Sequence, residues 1–319
     1  MHVLLTGSSG WLGRFLAPML RAAGHRVLGL DVAPGADTQI IGSVADRRTV
    51  DAAFAQGIDA VIHAGALHKP DIARYPKQAF VDVNVTGTLH LLEAAVAAGH
   101  DRFVFTSTTS LMISQAIRDQ AGDAAVWLDE ASGPLAPRNI YGATKLAAEE
   151  LCRLFTAEHG LSTMVLRTGR FFPEEDDTHR DLSGENMKAN ELLHRRLTVE
   201  DAAAAHVLAL EKGVGQEVFV LSAPPPFART EAAALKRDAA AVVARHFPDA
   251  PALYAARGWR LPERIGRVYD PGKVERLLGW RARTDFASVL AALREGRDLP
   301  FAHDAGYTSP AAGVFATGE

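Results

Sequence analysis

Tyr141 and Lys145 stand four residues apart in the run Tyr141-Gly142-Ala143-Thr144-Lys145, which opens a segment where Leu146, Ala147, Leu151, Leu154 and Phe155 recur at helical spacing. That spacing puts a phenol and an ammonium on one helix face. A phenol with an ordinary pKa of about 10 is a poor base at neutral pH, but a neighbouring positive charge favours its phenolate. The pair can therefore move a proton to or from an alcohol. The plainer alternative is an exposed tyrosine and a solvated lysine on a surface helix.

A second group sits near the N-terminus, in Thr6-Gly7-Ser8-Ser9-Gly10-Trp11-Leu12-Gly13. It follows a short apolar run and precedes a helical one, where glycines permit a tight turn and let a pyrophosphate approach the helix N-terminus. Gly7, Ser9, Gly10, Trp11, Leu12 and Gly13 are expected to meet a dinucleotide there. Asp31 ends the next apolar run about 20 residues on, where a carboxylate can accept hydrogen bonds from the ribose hydroxyls. Because Val32, Ala33 and Pro34 offer no arginine for a 2′-phosphate, NAD is expected rather than NADP. A strand-end Asp can also simply cap the following turn.

The elements that must carry these groups alternate. Apolar, β-rich runs at residues 2–6, 26–31, 39–42, 60–63, 103–107 and 163–167 are separated by longer helix-period segments. This predicts an α/β fold, a Rossmann-type doubly wound parallel sheet covered on both faces. Helical spacing from Trp11 to Ala23 ends at Gly24, with Pro18 as the discordant residue. After Arg167 the alternation breaks down: 168–197 is polar and irregular, 199–212 reads as a helix and 217–221 as a strand. Pro224-Pro225-Pro226 is a hard boundary. One helix is expected over 231–247, and another after Asp270-Pro271 that stops at Gly279. Residues 1–167 are thus expected to form the NAD-binding domain, with 199–222 returning to it. Residues 168–198 and 223–319 would form a smaller, mostly helical substrate lobe.

Composition limits the alternatives. With 319 residues, 48% hydrophobic and 23% charged, the chain is an ordinary globular one. Its 34 Lys+Arg against 38 Asp+Glu give a net charge of −4, too balanced to wrap a nucleic-acid backbone. A single cysteine, Cys152, cannot form an internal disulfide, and it reads as a small buried hydrophobe. No signal peptide and no membrane-spanning run are visible, so a cytoplasmic protein without membrane partners is expected.

Taken together, these residues resemble the extended short-chain dehydrogenase/reductases, the group containing the NAD-dependent sugar-nucleotide epimerases and dehydratases. The resemblance covers nearly the whole chain. Thr6 to Gly13 is similar to the family's glycine motif, Asp46 to its adenine-contacting Asp, His63-Ala64-Gly65-Ala66 to the segment lining the cofactor, and Asn84 to its helix asparagine. Phe103-Val104-Phe105-Thr106-Ser107-Thr108 resembles the strand that delivers the catalytic hydroxyl. The resemblance assigns that role to Thr108, with Ser107 second and Thr106 at the cofactor. Arg195 to Asp201 and Lys273 to Trp280 look like its later motifs. It implies that Tyr141 takes a hydroxyl proton while hydride leaves the same carbon for NAD, with Thr108 holding the oxygen and Lys145 positioning the cofactor. A homodimer through helices near 75–98 and 141–159 is implied as well.

There are departures. Thr109 and Ser110 stand where the 4,6-dehydratase branch has an acidic pair, so dehydration is disfavoured. The 168–197 stretch is short, which admits a free sugar, sugar acid or polyol, and 111–138 is a long spacer suited to a lid or substrate wall. His68, Ser107, Thr109, Arg167 and Arg170 are the candidate substrate contacts, with His63 and Lys69 also near. Glu174-Glu175-Asp176-Asp177 reads as a solvated run, and no metal is expected. An epimerase of a sugar-like substrate is the leading expectation. A dehydrogenase of a free sugar, sugar acid or polyol, and a non-catalytic dinucleotide sensor, are the alternatives.

Overall fold

The structure is a computed structural model and describes residues 1–175, 181–213 and 215–312. Short apolar runs become strands: β1 (His2–Thr6), β2 (Arg26–Asp31), β3 (Ile40–Ile41), β4 (Ala60–His63), β5 (Arg102–Thr108), β6 (Val126–Leu128), β7 (Ser162–Thr168), β8 (Gln216–Leu221) and β9 (Arg267–Tyr269). Seven of them form one sheet in the order β3-β2-β1-β4-β5-β7-β8, with every pairing parallel. This is the expected Rossmann-type sheet. The order reverses between β1 and β4, so their C-terminal ends open a crevice, the place where doubly wound sheets bind ligands.

Alternation along each strand supplies both faces of the core. Val3 and Leu5 join Ile62, Val104 and Leu166 under helices α1 (Trp11–Ala22) and α8 (Val199–Lys212). Leu4 joins Val61, Phe103, Phe105 and Val165 on the other face, under α2 (Arg47–Phe54), α4 (Gly87–Ala97) and α6 (Ile140–His159). Leading into α4 are α3 (Lys77–Val81) and a π turn, Asp82–Thr86. Pro18 sits inside α1 on its exposed side, where its missing donor faces solvent. No helix among the described residues is long and apolar enough to cross a membrane.

A separate hydrophobic cluster gathers α7 (Gly184–Glu191), α9 (Ala232–Arg237), α10 (Ala239–His246), α11 (Ala250–Ala256) and α13 (Phe286–Glu295). The single helix expected over 231–247 is broken at Asp238, which takes φ −154° and accepts Ala241 N–H as the cap of α10. Within the 111–138 spacer, α5 (Gln115–Arg118) precedes β6, which pairs in parallel with β9 beside the main sheet. Helix α12 (Gly272–Leu278) starts where Asp270 accepts Gly272 N–H and stops at left-handed Gly279, as expected.

Candidate active site

The crevice between β1 and β4 is a cavity lined by Gly7, Gly10, Trp11 and Asp31 from one side of the reversal and by Ala64 and Gly65 from the other. Gly7 turns with φ +73°, and a Cβ there would lie 2.7 Å from Gly65 N. At Gly13 a Cβ would lie 2.2 Å from Gly7 O, so this third glycine serves close packing of α1 on the turn. A side chain at Gly7 would both strain the turn and push β4's loop away. Gly7→Ala is therefore expected to weaken NAD binding at least about tenfold and lower Tm, read by NAD titration and thermal unfolding. Wild-type affinity in that variant would contradict the cradle.

Asp31 lines the cavity and also accepts Ser9 N–H at 3.0 Å and Ala33 N–H at 3.1 Å. Burial raises its pKa, against those backbone donors. The carboxylate thus caps the turn while facing the cavity. Ser9 donates its hydroxyl to Ala33 O at 2.6 Å and shapes the turn without lining the cavity, whereas Leu12 lines it. Asp46 is exposed, lies outside the cavity wall, and caps α2 by accepting Arg48 N–H at 3.0 Å.

Behind this wall runs a directed hydrogen-bond chain. Thr88 donates to Asn84 O, so His63 must donate to Thr88 through Nε2 and accept from Thr6 Oγ1 at Nδ1, 2.7 Å away. Thr6 in turn accepts Gly65 N–H at 3.0 Å. Burial keeps His63 neutral, with its pKa well below the ordinary value. His63 is therefore a scaffold and not a substrate contact. Asn84 lies behind the wall too, clasping Leu67 through N–H and C=O and reaching Thr144 at 3.1 Å, which ties α6 to the 64–68 loop. Ala66 lines both this cavity and the next, and so does Thr106, whose hydroxyl donates to His206 Nε2 at 2.8 Å.

The adjoining cavity has a volume of about 670 Å³ and brings together Thr108, Tyr141 and Lys145 with His68. Asn139 caps α6 by accepting Gly142 N–H, which sets Tyr141 in the first turn and Lys145 one turn later. Lys145 Nζ lies 3.9 Å from the Phe105 ring centroid. Thr108 hydrogen-bonds Tyr141, opposing the burial that pushes the phenol up to about 12. Burial brings Lys145 down to about 7, against Cys152 and Glu149. His68 packs on Tyr141 and Phe172 and is held neutral by burial, at about 4.

The lysine shift has a sign for stability. Between about pH 7 and its unfolded value of 10.5, the unfolded chain holds a proton that folded Lys145 gives up, so stability rises with pH across that window. Lys188, lowered to about 8 by burial and by Arg196 and Arg170, adds in the same direction. Urea unfolding of the cofactor-free protein is expected to show greater stability at pH 8.5 than at pH 7, with a smaller difference in Lys145→Met. The opposite slope would contradict the buried lysine.

Ser107 lines the cavity but donates its hydroxyl to Glu149, and Arg167 grips the same carboxylate, with Nη2 at 2.7 Å. Arg167 is 5% exposed and does not line the cavity, which corrects its expected role as a substrate contact. Thr109 does line it, with its hydroxyl donating to Thr168 O at 3.3 Å. Arg170 is in the wall, joined by Arg195, which opens one of the later motifs, and by Arg118, Arg138 and Arg267, which sequence reasoning did not single out. Glu191 sits among them: burial works to raise it, yet Arg195, Arg196 and Arg170 overcome this and hold its carboxyl at about 2. Glu149 was also missed, although its place four residues after Lys145 was a readable signal. Glu174 and Glu175 reach the wall, whereas Asp176 and Asp177 lie outside the described residues. Among the described residues no three His, Cys, Asp or Glu side chains converge as a metal site would require.

A match to the NAD dependent epimerase/dehydratase family runs over residues 3–222. The chain is 33% identical over 179 residues to an L-arabinose 1-dehydrogenase (NAD(P)(+)) of Haloferax volcanii, across 53% of this chain and 66% of that protein. It is 31% identical over 174 residues to a UDP-glucose 4-epimerase of Rhizobium meliloti, across 52% of this chain and 50% of that one. A solved short-chain dehydrogenase/reductase superfamily protein from Agrobacterium tumefaciens with bound NAD shares the fold at TM-score 0.65 and 24% identity, over 93% of this chain and 98% of that one.

Proposed function

We propose, from the premise that this chain belongs to the NAD-dependent epimerase/dehydratase family, that it oxidises a secondary alcohol of an anionic sugar as the first half of an epimerase cycle. The observation that carries this reading is the meeting of Thr108, Tyr141 and Lys145 on a wall where five arginines, Arg118, Arg138, Arg170, Arg195 and Arg267, outnumber the three carboxylates Glu174, Glu175 and Glu191. Guanidinium groups bind phosphates and carboxylates bidentately. The cavity lies within the roughly 300–1,000 Å³ that enclose ligands of drug size, which suits a sugar joined to a diphosphate better than a single sugar ring.

Bound in the glycine cradle, NAD supplies the hydride acceptor and a positive charge. Gly7 and Gly10 let its pyrophosphate approach, and Asp31 offers its carboxylate to a ribose. Thr108 holds the substrate oxygen, and Tyr141 Oη takes the hydroxyl proton. Burial raises the phenol and lowers the ammonium, so the phenolate relies on the Thr108 hydrogen bond and on positive charge brought close to it. An epimerase cycle closes when the carbon regains its hydride on the opposite face and Tyr141 returns the proton to the same oxygen, whereas releasing the ketone makes a dehydrogenase.

The second reading, a dehydrogenase of a free sugar or sugar acid, is supported by the match to an L-arabinose 1-dehydrogenase. The two separate in one experiment with the purified protein, in which sugar nucleotides and sugar acids are supplied with NAD. Interconversion of sugar-nucleotide isomers without net NADH supports the epimerase, and stoichiometric NADH from a sugar acid supports the dehydrogenase. Bound NAD with neither product from any secondary alcohol would leave the sensor reading. A homodimer through helices near 75–98 and 141–159 is part of the proposal, supported by the exposed Leu154 on α6, and light scattering tests it.

A further inference from the structure

The cofactor cavity has one wall that neither the glycine motif nor the sheet supplies. Ser309, Ala311 and Ala312, from the C-terminal tail, line it beside Gly10, Trp11 and Asp31. The tail is clasped there. Tyr307 meets Trp11 edge-on with 5.1 Å between ring centroids, and the Arg14 guanidinium lies 5.0 Å from the Trp11 ring and 5.7 Å from the Tyr307 ring. Tyr75 donates its hydroxyl to Ala311 O at 3.3 Å, and Asp304 N–H donates to Pro173 O at 3.0 Å. Further back, Lys188 Nζ lies 2.7 Å from His303 Nδ1.

With this wall in place the cavity has a volume of only about 100 Å³, below the roughly 300 Å³ at which ligand pockets begin. A dinucleotide laid along the glycine turn, with its nicotinamide half in the adjoining cavity, would press on the tail at Ser309, Ala311 and Ala312. Trp11, at the centre of the clasp, also has a buried Nε1 donor with no acceptor among the described residues. Such a donor gains a partner when a ligand oxygen arrives.

We propose that residues 303–312 are a movable wall of the NAD site, which opens to admit the cofactor and closes over it, so that the edge-on contact of Tyr307 with Trp11, beside Arg14, sets the rate of cofactor exchange. This rests on NAD as the ligand and is independent of which sugar reaction follows. An edge-on aromatic contact reinforced by a guanidinium is sufficient for about a tenfold change in a rate set by breaking it.

The test uses the full chain and NAD itself. Wild-type affinity is measured first, so that a failure to bind NAD is told apart from a failure of the wall. NAD is expected to leave Tyr307→Ala about tenfold faster than wild type, while Tyr307→Phe, which keeps the ring, releases it at the wild-type rate. Hydrogen exchange on the wild-type protein gives a second readout that needs no variant, with NAD expected to slow exchange at Tyr307–Ala312. Equal release from wild type and Tyr307→Ala, or tail exchange indifferent to NAD, overturns the proposal.

Discussion

Tyr141→Phe is expected to lower kcat by about 10²- to 10⁴-fold, the range that a positioned acid or base contributes, while NAD affinity stays close to wild type. The reason is geometric. The phenol Oη is the atom placed with Thr108 at the cavity wall, and its removal leaves the ring to fill the same buried space. The glycine cradle and Asp31 lie in the neighbouring cavity and do not depend on that oxygen. Initial rates together with an NAD titration check both halves. Unchanged turnover would remove Tyr141 from the chemistry.

The second large effect concerns the pair beneath the site. Glu149 and Arg167 are each about 95% buried, and the carboxylate also accepts from Ser107 on β5, directly opposite Arg167 on β7. Arg167→Met would leave a carboxylate buried without its cation, a change that costs about 3–5 kcal/mol. Urea unfolding at pH 7 measures it. Replacing both partners, as in Arg167→Met with Glu149→Leu, is expected to recover most of the loss, because an apolar pair of similar volume is often neutral. A loss well under about 1 kcal/mol in the single variant would mean that Glu149 protonates or finds water when Arg167 is gone.

These two effects also mark where sequence reading succeeded and failed. The strands of the main sheet were legible because a parallel sheet covered on both faces shows as continuous apolar runs, and β1, β2 and β4 keep their expected bounds. Three-residue strands such as β6 and β9 carry no such signal. Val126 and Arg267 meet only through pairing between distant parts of the chain, a non-local event that local periodicity does not encode.

The site was legible where spacing along one element does the positioning. Tyr141 and Lys145 share a helix face, and the glycines sit in one turn. It was not legible where the partner lies elsewhere in the chain. Arg167 was expected at the substrate, yet a charged residue near the C-terminal end of a buried strand needed an ion partner, and Glu149 on the helix above provides it. Asp46 matched a family position, but it lies outside the cavity wall, at the cap of α2. The tail at 303–312 carries no periodicity at all, and only the fold brings Tyr307 onto Trp11.

The central claim is that this protein passes hydride between the carbon of a sugar alcohol and NAD, with Tyr141 handling the proton. The most direct measurement loads the full chain with NAD and mixes it with sugar nucleotides and sugar acids carrying deuterium on their ring carbons. The nicotinamide is then analysed by mass spectrometry after a single turnover. Deuterium on the nicotinamide with wild type, and its near-absence with Tyr141→Phe, is the predicted result. A nicotinamide that stays free of deuterium with every such substrate, in a protein that demonstrably binds NAD, would contradict the account.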